Sequence, residues 1–213
     1  MIIHTALLQL RSILFLLCII FTSQAFASSG TVMIVGDSLS AAYGVATEQG
    51  WVQLLRNRLR SEGLANWTVI NASISGETTD GGLRRLPELL ARYTPDIVVI
   101  ELGGNDGLRG FQPGVIENNL NAMIDQSQEA GAKVLLLGMQ LPPNYGPRYT
   151  EAFAAIYPTL AKANATALVP FFLDGLFNGE TMIQSDGIHP NQDAQPILLD
   201  NVWPTLKTMI HAE

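Results

Sequence analysis

Short apolar runs alternate along this chain with stripes of apolar residues spaced three and four apart. Five runs, at 32–35, 68–71, 97–102, 133–138 and 167–172, are rich in β-branched residues and lack polar alternation. They are too short for helices, and such runs are expected of strands covered on both faces of a parallel sheet. Between them the period becomes helical. Trp51, Leu54, Leu55 and Leu59 form one stripe, ending at Gly63, and Leu83, Leu86, Leu89 and Leu90 form a second, ending before Pro95. Val115, Ile116, Leu120, Met123 and Ile124 make a third, Phe153, Ile156, Tyr157 and Leu160 a fourth, and Ile197, Leu198, Val202, Leu206 and Ile210 a fifth. Alternation of strand and helix with right-handed crossovers predicts an α/β fold, a three-layer α/β/α sandwich around a five-stranded parallel sheet. No repeat or low-complexity tract interrupts it, so residues 28–213 read as one domain.

The start of the chain follows another pattern. Arg11 precedes an unbroken apolar run from Ile13 to Phe21, and Ala25-Phe26-Ala27 supplies an A-x-A cleavage site. Residues 1–27 therefore read as a secretory signal peptide cleaved after Ala27. The run is short of the roughly 20 residues a membrane span needs. Bulky Leu16-Leu17 before Cys18 argue against lipid attachment there.

Removing the leader takes Arg11 from the 12 basic residues and none of the 19 acidic ones, so the net charge moves from −7 to −8. An acidic chain without a Lys/Arg cluster is a poor ligand for nucleic acid backbones. The one cysteine, Cys18, leaves with the leader. The mature chain thus has neither disulfide nor thiol chemistry, and no later run approaches membrane length.

In a parallel sheet of this kind ligands bind beyond the carboxyl ends of the strands. Gly36-Asp37-Ser38-Leu39 follows the first strand, Ser73 to Glu77 the second, Gly103 to Asp106 the third and Met139 to Pro147 the fourth. Ser185-Asp186-Gly187-Ile188-His189 precedes the last helix. His4 lies in the leader and His211 two residues from the end, leaving His189 as the histidine available for chemistry. A serine becomes a nucleophile when a base takes its proton, and the base works best when a third group orients it. Ser38, His189 and Asp186 supply these three catalytic roles. The backbone N–H of Ser38, the N–H of Gly76 and the side-chain amide of Asn105 can form an oxyanion hole. Ser40, Ser73 and Ser75 lack a comparable context, and Asp106 reads as an Asp-Gly turn or helix cap. The Gly-x-Ser-x-Gly elbow, the Walker loop and the Gly-x-Gly-x-x-Gly fingerprint are missing, and Asp186 with His189 offers too few ligands for a metal.

Gly36-Asp37-Ser38-Leu39, Gly76, Gly103-x-Asn105-Asp106 and Asp186-x-x-His189 match, in order, the four blocks of the SGNH (GDSL) hydrolases. The chain resembles that family over its whole mature length. It is similar above all to the bacterial periplasmic acyl-CoA thioesterase I / protease I / lysophospholipase L1 and arylesterase group. The resemblance implies a flavodoxin-like SGNH hydrolase fold and the catalytic and oxyanion residues just named. It also implies hydrolysis of acyl thioesters, aryl esters and lysophospholipids without a cofactor. Ala42 stands where the group more often has glycine, Glu77 where aspartate is familiar, and Ser185 where a second acid often precedes the catalytic one.

Met139, Leu141, Pro142 and Tyr145, with Leu108 and Phe111 opposite, are expected to bind the acyl part of the substrate. The protein is then an exported, monomeric esterase and thioesterase of a periplasm or the medium, acting on small acyl esters. A carbohydrate O-deacetylase on the same scaffold and a non-catalytic lipid-binding protein are the alternatives.

Overall fold

The structure is a computed structural model that describes residues 29–177 and 181–212. The expected leader and its cleavage site lie outside the described residues. Five parallel strands, β1 (Gly30–Gly36), β2 (Trp67–Asn71), β3 (Ile97–Glu101), β4 (Lys133–Leu137) and β5 (Ala167–Val169), form one sheet in the order β2-β1-β3-β4-β5. That is the flavodoxin-like order. The helices are α1 (Trp51–Ser61), α2 (Thr79–Tyr93), α3 (Gly104–Leu108), α4 (Pro113–Glu129), α5 (Pro147–Ala163) and α6 (Gln195–His211). α1 packs on α6, and α2 and α5 both pack on α4, so the sheet is covered on both faces. None of the described helices is long and apolar enough to cross a membrane.

The buried pattern explains the sheet. Val32 to Val35 of β1 and Val98 to Ile100 of β3 are almost wholly excluded from water, as expected for central strands. The helical stripes supply the outer layers through Leu55 and Leu59, Leu86, Leu120 and Ile124, Ile156, and Val202 and Leu206.

Two elements depart from the sequence expectation. β5 ends at Val169 rather than continuing to Phe172, because Pro170 has no N–H to extend the ladder. Residues 104–108, for which the sequence offered only a turn or helix cap at Asp106, form the short helix α3, which Gly103 enters with φ 109. A side chain at Gly103 would collide with the Tyr157 hydroxyl, which donates to Leu102 O (3.0 Å).

Candidate active site

The turn after β1 is built around a glycine with no room for a side chain. A Cβ at Gly36 would lie 2.6 Å from Glu101 Oε2 and 2.9 Å from Ser40 Oγ. Asp37 N donates to that same Glu101 oxygen (3.1 Å), and Leu39 N donates back to Asp37 Oδ1 (3.0 Å). Bonds from Ala41 N to Asp37 O and from Tyr43 N to Ser38 O close the turn. Ser38 is left 8% exposed, so its hydroxyl is nearly withdrawn from bulk water.

The turn at 184–190 meets it across 151 residues of sequence. Asp186 Oδ1 accepts from the backbone N–H of Ile188 (2.9 Å) and His189 (3.0 Å), an arrangement that fixes the carboxylate relative to the ring. Asp186 Oδ2 lies 2.7 Å from His189 Nδ1, and His189 Nε2 lies 2.9 Å from Ser38 Oγ. With Nδ1–H donating to Asp186, Nε2 is free to accept the serine proton. The donated backbone bonds, ahead of the imidazole itself, hold the Asp186 carboxyl down at about 2, so it stays ionised across the working range. Gln184 ties the two turns together: its Nε2 donates to Tyr43 O (2.8 Å) and Pro190 O (3.0 Å). The Tyr43 ring rests on the imidazole with centroids 4.5 Å apart. Just before it, Ala42 adopts φ 59, a left-handed conformation that suits glycine better than alanine.

The three expected oxyanion donors also lie on this edge. Among the described residues, the N–H groups of Ser38 and Gly76 have no acceptor. Gly76 has φ 78, and only Arg109 would approach a Cβ there, at 3.9 Å. Backbone conformation, rather than close contact with the protein, is what calls for glycine. Asn105 Nδ2 donates to Asp37 Oδ2 (2.8 Å), which spends one amide hydrogen and leaves the other. Asp106 does cap a helix, but a distant one. Its carboxylate accepts from Thr79 N and Thr79 Oγ1 at the start of α2.

Sequence reasoning passed over the acids beneath the serine. Asp37 is buried, and desolvation lifts its carboxyl from 3.8 to about 6 against the bonds from Leu39 and Asn105. Glu101 is wholly buried, and burial, with the neighbouring Asp37 charge, drives its carboxyl well above the usual range. The readable signal was a glutamate closing an otherwise apolar run, Ile97-Val98-Val99-Ile100-Glu101.

The expected substrate wall is partly assembled. Tyr145 OH donates to Leu108 O (2.9 Å) and Tyr149 OH to Phe111 O (2.6 Å), strapping the 139–149 segment to the end of α3. Leu141 is half-buried against Gly107, while Pro142, Tyr145 and Phe111 are exposed. Met139 is buried in the core and does not reach this surface. Beside the strap runs a groove of about 390 Å³, lined by Pro113, Tyr145 to Tyr149, and Ala152. Among the described residues no group of His, Cys, Asp and Glu is placed to hold a metal.

A serine hydroxyl, an imidazole and a carboxylate in this relay, at the carboxyl edge of a parallel sheet, make a site of the serine-hydrolase type. Residues 34–195 match the GDSL-like Lipase/Acylhydrolase family, and the chain belongs to that family. It is similar to esterase TesA of Pseudomonas aeruginosa, with 57% identity over 192 residues, 90% of this chain and 94% of that protein. It is also similar to thioesterase 1/protease 1/lysophospholipase L1 of Escherichia coli K12, with 45% identity over 197 residues and 92% of each chain. The crystal structure of the psychrotrophic esterase EstA from Pseudoalteromonas sp., inhibited by monoethylphosphonate, superposes with a TM-score of 0.80 at 43% identity. That match covers 84% of this chain and 98% of EstA.

Proposed function

We propose that this chain hydrolyses carboxylic esters and acyl thioesters through an acyl-enzyme on Ser38. The continuous relay from Asp186 Oδ2 through His189 to Ser38 Oγ, at 2.7 and 2.9 Å, carries this reading. Ser38 Oγ attacks the acyl carbon while its proton passes to His189 Nε2. The carbonyl oxygen becomes an oxyanion facing Ser38 N–H, Gly76 N–H and the free hydrogen of Asn105 Nδ2. Collapse breaks the bond to the leaving oxygen or sulfur, which takes the proton from His189 and departs as alcohol or thiol. Water then gives a proton to His189 and its oxygen to the acyl carbon. A second collapse returns the proton to Ser38 and frees the carboxylic acid. Apart from substrate and the attacking water, every step uses groups of the chain itself.

The surface supports an apolar acyl group. Among the described residues, seven large apolar side chains are exposed: Tyr43, Ile74, Phe111, Val115, Tyr145, Phe177 and Ile188. All seven lie in segments that leave the carboxyl ends of the strands, the edge that carries Ser38. Leu108, Phe111, Leu141, Pro142 and Tyr145 wall the acyl chain in this reading, and Met139 supports them from below. Esterase, thioesterase and lysophospholipase activities, the names borne by the relatives, all fit such a site. The leader expected at 1–27 makes the protein exported, with the periplasm as its compartment, and residues 28–213 a single monomeric domain.

The test is kcat/KM for p-nitrophenyl esters from C2 to C16 beside acyl-CoA thioesters and lysophospholipids, with wild type and Ser38→Ala. Each buried methylene is worth about 0.8 kcal/mol, so selectivity should rise in steps towards medium or long chains. Activity confined to C2 would favour deacetylation of small acyl groups instead.

A further inference from the structure

Glu101 lies beneath the nucleophile and has no part in the acyl-transfer steps, yet it touches both ends of the nucleophile turn. Strand register sets it opposite Gly36. Its Oε2 accepts from Asp37 N (3.1 Å) on one side of Ser38 and from Ser40 Oγ (2.7 Å) on the other. The contacts continue in both directions. Ser40 Oγ accepts from Trp51 Nε1 (3.2 Å), Trp51 N donates to Gln195 Oε1 (3.0 Å), and Gln195 Nε2 donates to Asn191 O (3.0 Å), two residues past His189. On the other side, Asp37 Oδ2 holds Asn105 Nδ2 at 2.8 Å. One carboxyl group thus sits midway between the segment bearing the base and the amide facing the oxyanion.

We propose that Glu101 is the positioning residue of this site, clamping the 37–40 turn from both sides and, through Asp37, setting the direction of the Asn105 amide. The inference rests on the acyl-enzyme reading above.

Glu101 does this as the neutral acid. Its Oε1 is buried with no partner among the described residues, and an ionised carboxylate would leave a charged oxygen unsolvated there. Asp37 lies close enough for its charge to oppose a second one, and two carboxylates so placed do not both ionise near neutral pH. Asp37 is therefore the member that carries the charge. Only an ionised Asp37, acceptor on both oxygens, obliges Asn105 to present its NH₂ end, and with it the second N–H, to the site. The other titratable groups facing the pair are His189, acting on Asp37, and Tyr157. Burial keeps the Tyr157 hydroxyl protonated.

The test compares Glu101→Gln, Glu101→Leu, Ser40→Ala and Ser38→Ala on one ester substrate over pH 5–9. Glutamine can accept from Asp37 N–H and Ser40 O–H and is neutral. It should keep kcat within about fivefold of wild type and leave the pH profile in place. Leucine removes both bonds; a misplacement of about 1 Å at a reacting group costs up to roughly 10² in rate, so kcat should fall roughly 10- to 100-fold with KM within about threefold. Ser40→Ala, which cuts one arm only, should lose about threefold to tenfold in kcat and serves if Glu101→Leu does not fold. An acid limb displaced in Glu101→Gln would overturn the neutral-acid role. Unchanged kcat in Glu101→Leu, or in Ser40→Ala where the leucine variant is unfolded, would overturn the positioning role. In either case an inactive Ser38→Ala leaves the acyl-enzyme reading standing. Turnover by Ser38→Ala would overturn that reading, and this inference with it.

Discussion

Asp37 pits stability against turnover, and Asp37→Asn separates the two. Burial lifts its carboxyl from 3.8 to about 6, so the folded protein holds this proton more tightly than the unfolded chain. Stability therefore falls as pH rises between those values: the cost of ionisation is absent below about pH 4 and complete above about pH 6. At about 1.36 kcal/mol per unit, that cost is about 3 kcal/mol at pH 8 and about 1 kcal/mol at pH 4.5. Asparagine resembles the protonated acid. Its Oδ1 can still accept from Leu39 N, but its NH₂ then faces the NH₂ of Asn105. The Asn105 amide escapes by flipping, which turns its carbonyl towards residue 37 and swings its donor away from the oxyanion. Asp37→Asn should thus gain up to about 3 kcal/mol in urea unfolding at pH 8 and markedly less at pH 4.5. Its kcat should drop roughly 10²- to 10³-fold, the worth of one oxyanion donor. A variant less stable than wild type at pH 8, or one with wild-type kcat, would refute the reasoning.

Asn105→Ala should lower kcat by roughly 10²- to 10³-fold with little change in KM, because its donor acts mainly in the transition state; steady-state kinetics on one ester will show which parameter moves. Asp186→Asn should cut kcat by roughly 10³-fold or more, by a similar factor from pH 5 to pH 9, since a carboxyl held at about 2 is ionised throughout that range. A pH–rate profile of that variant checks both points. Ala42→Gly should stabilise by about 0.5–1 kcal/mol, measured by urea unfolding, with kcat unaltered. Relief of left-handed strain, about 1–2 kcal/mol, outweighs the entropy cost of glycine, about 0.5–1 kcal/mol.

What the sequence disclosed depended on how locally each feature is encoded. Asp186 and His189 belong to one turn, so their contact could be read from spacing. The meeting of His189 with Ser38 could be anticipated because parallel strands deliver their carboxyl ends to one edge. Asp106 was legible as a cap, yet not as the cap of α2, since its partner Thr79 lies 27 residues away. Glu101 was hidden by the apolar run it terminates, and its role depends on the register that pairs it with Gly36. Met139 read as the start of a substrate loop because residues 139–147 are rich in apolar and turn-forming types, whereas it continues the burial of β4 two residues beyond Leu137. Gly76 was named for its N–H, whereas what calls for glycine there is its backbone conformation, φ 78.

The central claim is a covalent acyl-enzyme on Ser38, and phosphonate labelling tests it most directly. The protein would be incubated with a p-nitrophenyl alkylphosphonate, then followed by intact mass, peptide mapping and residual activity on a C8 ester. The account predicts one phosphonyl group per chain, on the peptide holding Ser38, loss of activity in step with labelling, and no adduct in Ser38→Ala. Loss of activity with Ser38 unmodified, or turnover by Ser38→Ala, would contradict it.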